Sequence, residues 1–234
     1  MARPRSDIRP RIVDAARARF LSRGVDGASL REIARDAGTN IGMVAYYFST
    51  KDDLFLAVVE EVYARVVADL AAILDADGAA RERLRGAFVR LGKASALEID
   101  VIQLIVREAL VSSTRLRRII ARFMRGHVPL VIATIGDGIA RGEFDSTIPA
   151  PYILLATLGL GALPQLARRA SRLVPPLAHL PGPEELADLS IGLLFRAVGK
   201  PAAQARAGRR PRSDERSGSK RKPTRAGVTH KDRR

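Results

Sequence analysis

The sequence predicts an all-α protein: a small N-terminal unit of three short helices followed by a larger C-terminal helical region. Three observations carry the fold class. Apolar residues recur at three- and four-residue spacing through most of residues 9–198, caps and glycines separate those stripes, and few stretches alternate as strands do. With 234 residues and 47% hydrophobic content, the chain can bury a sizeable core.

The first stripe is Ile12, Ala16 and Phe20, widened by Val13 and Leu21, and Gly24 is expected to stop this helix in a left-handed cap. A second helix opens at Ser29-Leu30-Arg31-Glu32, a spacing that predicts a capping box between Ser29 and Glu32. Leu30, Ile33, Ala34 and Ala37 then face inward, and Gly38 supplies a tight turn. Asn40 is placed to cap a third short helix, Ile41 to Tyr47. Thr50 caps a fourth, with Asp52 and Asp53 at its positive end and an apolar stripe running to about Leu74. Further helices are expected at about 79–97, 99–112, 115–141, 150–172 and 184–198, with breaks near 98–100, 112–113 and 141–142. A prolyl loop from Pro175 to Pro183 precedes the last of them.

Charge divides the chain further. The net +15 splits into +4 over residues 1–50, +1 over 51–198 and +10 over 199–234. Both ends are cationic and suit a polyanion, because each neutralised phosphate releases condensed counterions. Residues 1–8 read as a flexible basic arm with Arg3 and Arg5, and 199–234 as a disordered basic tail. Between them lie a three-helix unit at 9–55 and a larger helical region at 56–198. The most apolar stretch, Ile148 to Leu163, is interrupted by prolines and glycines, so no membrane span is expected. Cysteine is absent and the three histidines, His127, His179 and His230, are far apart. Thiol chemistry is excluded, and no metal site and no cofactor are expected. A cytoplasmic setting fits the missing cysteines and the polar N-terminus.

A short helix, a glycine turn and a second short helix make a helix-turn-helix when a third helix buries their shared face. Small residues at the crossing, Ala34, Ala37 and Gly42, let the axes approach, and Val44 and Phe48 plug the core. The opposite face of the second helix is then free for the major groove, and its N-terminus offers amides to a phosphate.

The series Ile12-Val13-Asp14-Ala15-Ala16, Phe20 with Gly24, Ser29-Leu30-Arg31-Glu32-Ile33-Ala34, Ala37-Gly38, Gly42, Tyr47-Phe48 and Lys51-Asp52-Asp53-Leu54 resembles the DNA-binding domain of the TetR family of bacterial regulators. The resemblance implies DNA-contacting roles for Ser29, Thr39, Asn40, Ile41, Gly42, Met43, Tyr46, Tyr47 and Lys51. Asn40 takes a phosphate-facing capping position, Met43 a base-facing one and Tyr46 a groove-facing aromatic one. The Tyr47 hydroxyl and Lys51 take phosphate-contacting positions. Ile41, Met43 and Ala45 stand where the family favours polar residues, so apolar contact to thymine methyls is expected to replace some hydrogen-bond readout.

The resemblance also makes 9–55 an N-terminal three-helix helix-turn-helix DNA-binding domain and 56–198 a larger C-terminal helical ligand-binding and dimerisation domain, and it implies a palindromic operator, a homodimer formed by the last two long helices, and a small-molecule effector. Leu154, Leu155, Leu158, Leu163 and Leu166 can face Leu186, Leu189, Leu193 and Leu194, with Gly159, Gly161 and Gly192 allowing close approach. Candidate polar contacts to the effector are Gln103, Glu108, His127, Thr134, Tyr152, Thr157 and Gln165. Their sparseness among aliphatics points to a hydrophobic or aromatic molecule. Two other classes compete: a helical enzyme, disfavoured because no P-loop or nucleophile elbow is present, and a nonspecific DNA-coating protein suggested by the tail.

Overall fold

The structure, a computed structural model, describes residues 7–170 and 179–200. These residues hold ten helices and no strand. The first four are α1 (Ile8–Gly27), α2 (Leu30–Asp36), α3 (Ile41–Tyr47) and α4 (Lys51–Leu74). After them come α5 (Ala80–Gly92), α6 (Ala96–Val111), α7 (Ser113–Phe123), α8 (His127–Ala140), α9 (Ala150–Ala170) and α10 (Pro183–Val198). The all-α expectation is met, as are the caps with local partners. Asn40 Oδ1 accepts from the Met43 amide at 2.9 Å. Thr50 and Asp53 form a reciprocal capping box that starts α4.

Several expectations need correcting. Gly24 has the anticipated positive φ (75°), yet α1 continues past it to Gly27 with a kink. The polar groups freed there are taken up by α6: Arg107 donates to the Phe20 and Leu21 carbonyls, and Glu108 accepts from the Val25 amide at 3.1 Å. Ser29 makes no side-chain cap. The Glu32 carboxylate turns instead to Arg19 and Arg23, which lie 3.7 and 3.2 Å away. The expected break at 98–100 is the first turn of α6, where Glu98 completes a capping box with Ser95. The single helix expected at 115–141 is two, α7 and α8, bent by 48°. Gly126 at the break leaves room for the Tyr63 ring, which a Cβ would strike.

The helix α9 runs unbroken through Gly159, Gly161 and Pro164. Among the described residues it is the one single helix long and apolar enough to cross a membrane, contrary to the expectation that its prolines and glycines interrupt it. Its Ile153, Thr157 and Gln165 are buried, and it packs on α5, α8 and α10. The basic tail was expected from residue 199 and the arm as far as residue 8. Gly199 and Lys200 instead pair with residues 143–145, with Asp145 N to Val198 O at 2.9 Å and Lys200 N to Glu143 O at 3.1 Å. Ile8 already belongs to α1. Residues 1–6 of the arm, the tail from residue 201, the helix end expected at 171–172, and Pro175 and Pro176 of the prolyl loop lie outside the described residues.

Two cores share one helix. The first packs Ile12, Phe20, Ile33, Val44 and Leu54 with Leu104 and Ile119 from α6 and α7. The second packs Leu74, Leu84, Phe88 and Ile135 with Ile153, Ile191 and Leu194. The first half of α4 belongs to one and the second half to the other.

Candidate functional sites

Helices α2 and α3 are joined by Ala37, Gly38, Thr39 and Asn40. Gly38 (φ 63°) lets the chain reverse, and the Thr39 amide bonds back to the Ala34 carbonyl at 2.9 Å. From α1, the Arg11 guanidinium donates to the Ala37 carbonyl and, at 2.9 Å, to that of Gly38. The turn is therefore fixed from behind. Val44 and Phe48 are buried, while Asn40, Ile41, Gly42, Ala45 and Tyr46 form an exposed face with Tyr46 at 78%. Tyr47 and Met43 are half-buried at its rim, and Tyr46 meets Tyr47 edge-on at 5.2 Å. Ser29 and Thr39 are also half-buried. Lys51 Nζ donates to the Asp26 carbonyl at 3.0 Å, which ties the start of α4 to the end of α1. Sequence reading passed over Arg31, exposed on the first turn of α2 with no ion pair among the described residues. Its place beside the expected cap was the available signal.

Behind this unit lies an ionic cluster centred on the buried pair Arg115 and Glu108. Arg115, on α7, reaches Asp26 of α1 at 2.6 Å, Asp52 of α4 at 3.0 Å and Glu108 of α6 at 3.1 Å. The Arg115 guanidinium holds the Asp26 carboxyl below the usual carboxylate range. Alongside, Arg118 pairs with Asp53 at 2.9 Å.

A largely apolar cavity of about 250 Å³ lies between α4, α5, α6 and α9, closed by Phe123 of α7 and by α8. Of the candidate contacts, His127, Thr157 and Gln165 line it. Gln103 and Tyr152 are exposed and do not. Glu108 is buried but committed to Arg115 and the Val25 amide, and Thr134 is buried against its own helix, donating to the Leu130 carbonyl. Tyr63 and Arg169, unnoticed in the sequence, also line the cavity, as does Glu98, which the sequence marks only as part of a helix break. Nothing local marks Tyr63, which looks like one more member of the α4 stripe.

The polar groups cluster. The Tyr63 hydroxyl lies 2.6 Å from His127 Nδ1 and accepts from the His127 amide at 3.4 Å. Burial pushes Tyr63 up and His127 down, the latter helped by Arg122, so the phenol stays protonated and the imidazole neutral. Glu98 is paired with Arg90 at 2.5 Å and held below the carboxylate range, where Arg90 and the Ser95 amide outweigh its desolvation. Gln165 Nε2 donates to the Pro183 carbonyl at 3.0 Å, while its Oε1 is buried with no partner. Arg169 donates to the Ala94 carbonyl. Among the described residues no group of His, Asp and Glu is arranged to hold a metal.

Residues 12–58 match the family model described as bacterial regulatory proteins, tetR family. The HTH-type transcriptional repressor SCO4008 of Streptomyces coelicolor is 28% identical over 172 residues, covering 71% of this chain and 85% of that protein. The HTH-type transcriptional regulator PksA of Bacillus subtilis is 40% identical over 58 residues, 25% of this chain and 28% of its own length. Among solved structures, the transcriptional regulator FadR from Bacillus subtilis in complex with stearoyl-CoA superposes with a TM-score of 0.66 at 18% identity, covering 80% of this chain and 97% of that one. A transcriptional regulator from Saccharomonospora viridis in complex with choline gives 0.63 at 18% identity, over 84% and 100%. These structures share the fold. The match over residues 12–58, together with the fixed turn between α2 and α3, assigns the helix-turn-helix of this all-α chain to the TetR family of bacterial regulators.

Proposed function

We propose that the chain is a dimeric repressor that binds a palindromic operator and is released by a small apolar effector. One observation carries the reading: α4 and α6 line the cavity with one part of their length and hold the helix-turn-helix with another. An occupant that shifts either helix changes the orientation of the reader, and ligand and DNA then compete through the protein. Helix α4, which runs from the reader to the cavity, is one lever. Arg107 and Glu108, bonded to α1, give α6 an equal claim.

The exposed face of α3 is the base reader. Tyr46 and Ile41 enter the groove, Asn40 and the first amides of α3 meet a phosphate, and Tyr47, Lys51 and Arg31 meet the backbone alongside. Residues 9–55 are accordingly the DNA-binding part and 56–198 the sensing and pairing part. The pairing surface is the outer strip of α9 and α10, where Tyr152, Leu155, Leu163, Leu189 and Leu193 are exposed and Gly159 and Gly192 face open space. This strip, covered by a second copy, accounts for the high hydropathy of α9 without a membrane. A cytoplasmic, non-enzymatic role follows from this reading. The relatives that match are likewise named as regulators.

Selection from random duplex DNA followed by footprinting tests the proposal. It should return a short inverted repeat with half-sites about one helical turn apart, with protection lost on adding a cavity-sized apolar compound. Uniform coating without a preferred sequence would reject it.

A further inference from the structure

Helix α3 carries no charged and no carboxamide side chain: from Ile41 to Tyr47 it reads IGMVAYY. A purine in the major groove is ordinarily gripped by a guanidinium or ammonium on guanine O6 and N7, or by a carboxamide on adenine N6 and N7. Neither group is available along α3. Asn40, one residue before it, has the nearest carboxamide, and its Oδ1 is already taken by the Met43 amide at 2.9 Å. With that oxygen committed, Asn40 cannot hold adenine at both positions. The neighbouring cations turn away as well. Arg11 donates to the Ala37 and Gly38 carbonyls, Lys51 donates to the Asp26 carbonyl at 3.0 Å, and Arg9 lies over the Phe48 ring at 5.5 Å.

What α3 does present outward is apolar. Ile41 is 47% exposed and Tyr46 78%, and the exposed residues between them, Gly42 and Ala45, are too short to keep the helix off the base edges. Ile41 and Ala45 stand four positions apart, as do Gly42 and Tyr46, so all four share one side of the helix. The apolar feature that a base edge offers in the major groove is the 5-methyl group of thymine. Cytosine methylated at C5 carries the same group on the same ring carbon. The two bases then differ in hydrogen-bonding groups, an acceptor at O4 against a donor at N4, which an apolar side chain does not distinguish.

Resting on the assignment of α3 as base reader, we propose that this face recognises 5-methylpyrimidines, with Ile41 and the Tyr46 ring packed on the methyl groups, so that 5-methylcytosine stands in for thymine in the operator. Affinity then follows the methyl group more than the identity of the base pair. Methylation of cytosine at C5 creates a binding site in a sequence that the chain otherwise passes over.

The test uses the full chain and the duplex recovered by selection from random DNA, with binding followed by fluorescence anisotropy. Each thymine, together with its symmetry mate in the other half-site, is replaced by uracil to find the contacted positions. Burying one methyl group is worth about fourfold in affinity, so losing one per half-site should weaken binding about 15-fold. At such a position cytosine should bind as poorly as uracil, and 5-methylcytosine paired with guanine should return to within about threefold of thymine. Ile41→Ala and Tyr46→Ala should each abolish the preference for thymine over uracil at the position that side chain faces and keep it at the others. Tyr46→Phe, which retains the ring, should keep every preference, and thermal unfolding reports that each variant is folded. Equal binding of a duplex with uracil throughout overturns the proposal and leaves the repressor reading standing. So does 5-methylcytosine rejected as strongly as cytosine, or a uracil penalty that survives both alanine variants. Failure of the selection to return any preferred sequence overturns the base-reading role of α3 and this proposal together.

Discussion

Around Arg115, carboxylates from three helices meet one guanidinium whose side chain is 5% exposed. Breaking a buried pair from one side strands a charge, so Arg115→Met should lower stability by about 3 kcal/mol. Adding Glu108→Gln to it should recover part of that loss, a double-mutant cycle read by urea unfolding. His127 predicts a pH effect. Burial, reinforced by Arg122, depresses its folded-state pKa below an unfolded value of about 6.5. In acid the unfolded chain takes up a proton that the folded one resists. This contribution is complete above pH ~6.5 and lost as pH falls below that value. His127→Phe should flatten the fall in urea midpoint between pH 7.5 and 5.5. At the reader, Tyr46→Ala should weaken operator binding about 10-fold, as loss of one good contact of about 1–3 kcal/mol does, with an unchanged melting temperature. A substantial fall in melting temperature would mean that Tyr46 is structural. The residues legible from sequence were those with partners three positions away: Asn40 with Met43, and Thr50 with Asp53. Arg115 was opaque because its partners Asp52 and Asp26 lie 63 and 89 positions away. Ser29 misled because arginines nine or more positions before Glu32 outbid a local cap.

Among the elements, α4 was read to its last residue because its stripe is continuous and its cap is local. The α7–α8 break was missed for the opposite reason: apolar spacing persists across it, and the bend answers to the Tyr63 ring on another helix. Helix α9 shows how one element meets two demands. Its inner face, with Ile153, Thr157 and Gln165, is buried in the protomer, and its outer face carries exposed leucines at compatible spacing. Leu155→Arg combined with Leu189→Arg should convert a sedimenting dimer into a folded monomer. Because two recognition helices at fixed spacing supply the affinity, operator binding should fall by at least about 100-fold with it. A doubly substituted chain that still sediments as a dimer would place the interface elsewhere.

For the whole molecule, the general plan was legible, including a small N-terminal reader, a larger apolar partner and cationic ends. The cavity was only half legible. Periodicity marks which positions turn inward but not which inward positions lack a neighbour, so Gln103 and Tyr152 were grouped with His127, Thr157 and Gln165. Filling the space tests the connection between the two halves. Ile102→Trp, on the cavity face of α6, should leave operator affinity within about threefold and abolish release by any effector. Equal release from wild type and variant in a mobility-shift titration would separate the cavity from the switch.

As the proposed pairing surface, the exposed strip on α9 and α10 has a genetic consequence. A C2 surface meets its own copy, so a chain with a ruined reader but an intact strip still recruits sound partners into mixed pairs. Expressed in equal amounts with the wild type, a chain with Asn40, Ile41, Tyr46 and Tyr47 all replaced by alanine would leave about a quarter of the pairs fully competent by random assortment. Its allele would then be dominant over wild type, and adding Leu155→Arg and Leu189→Arg to that chain would make it recessive.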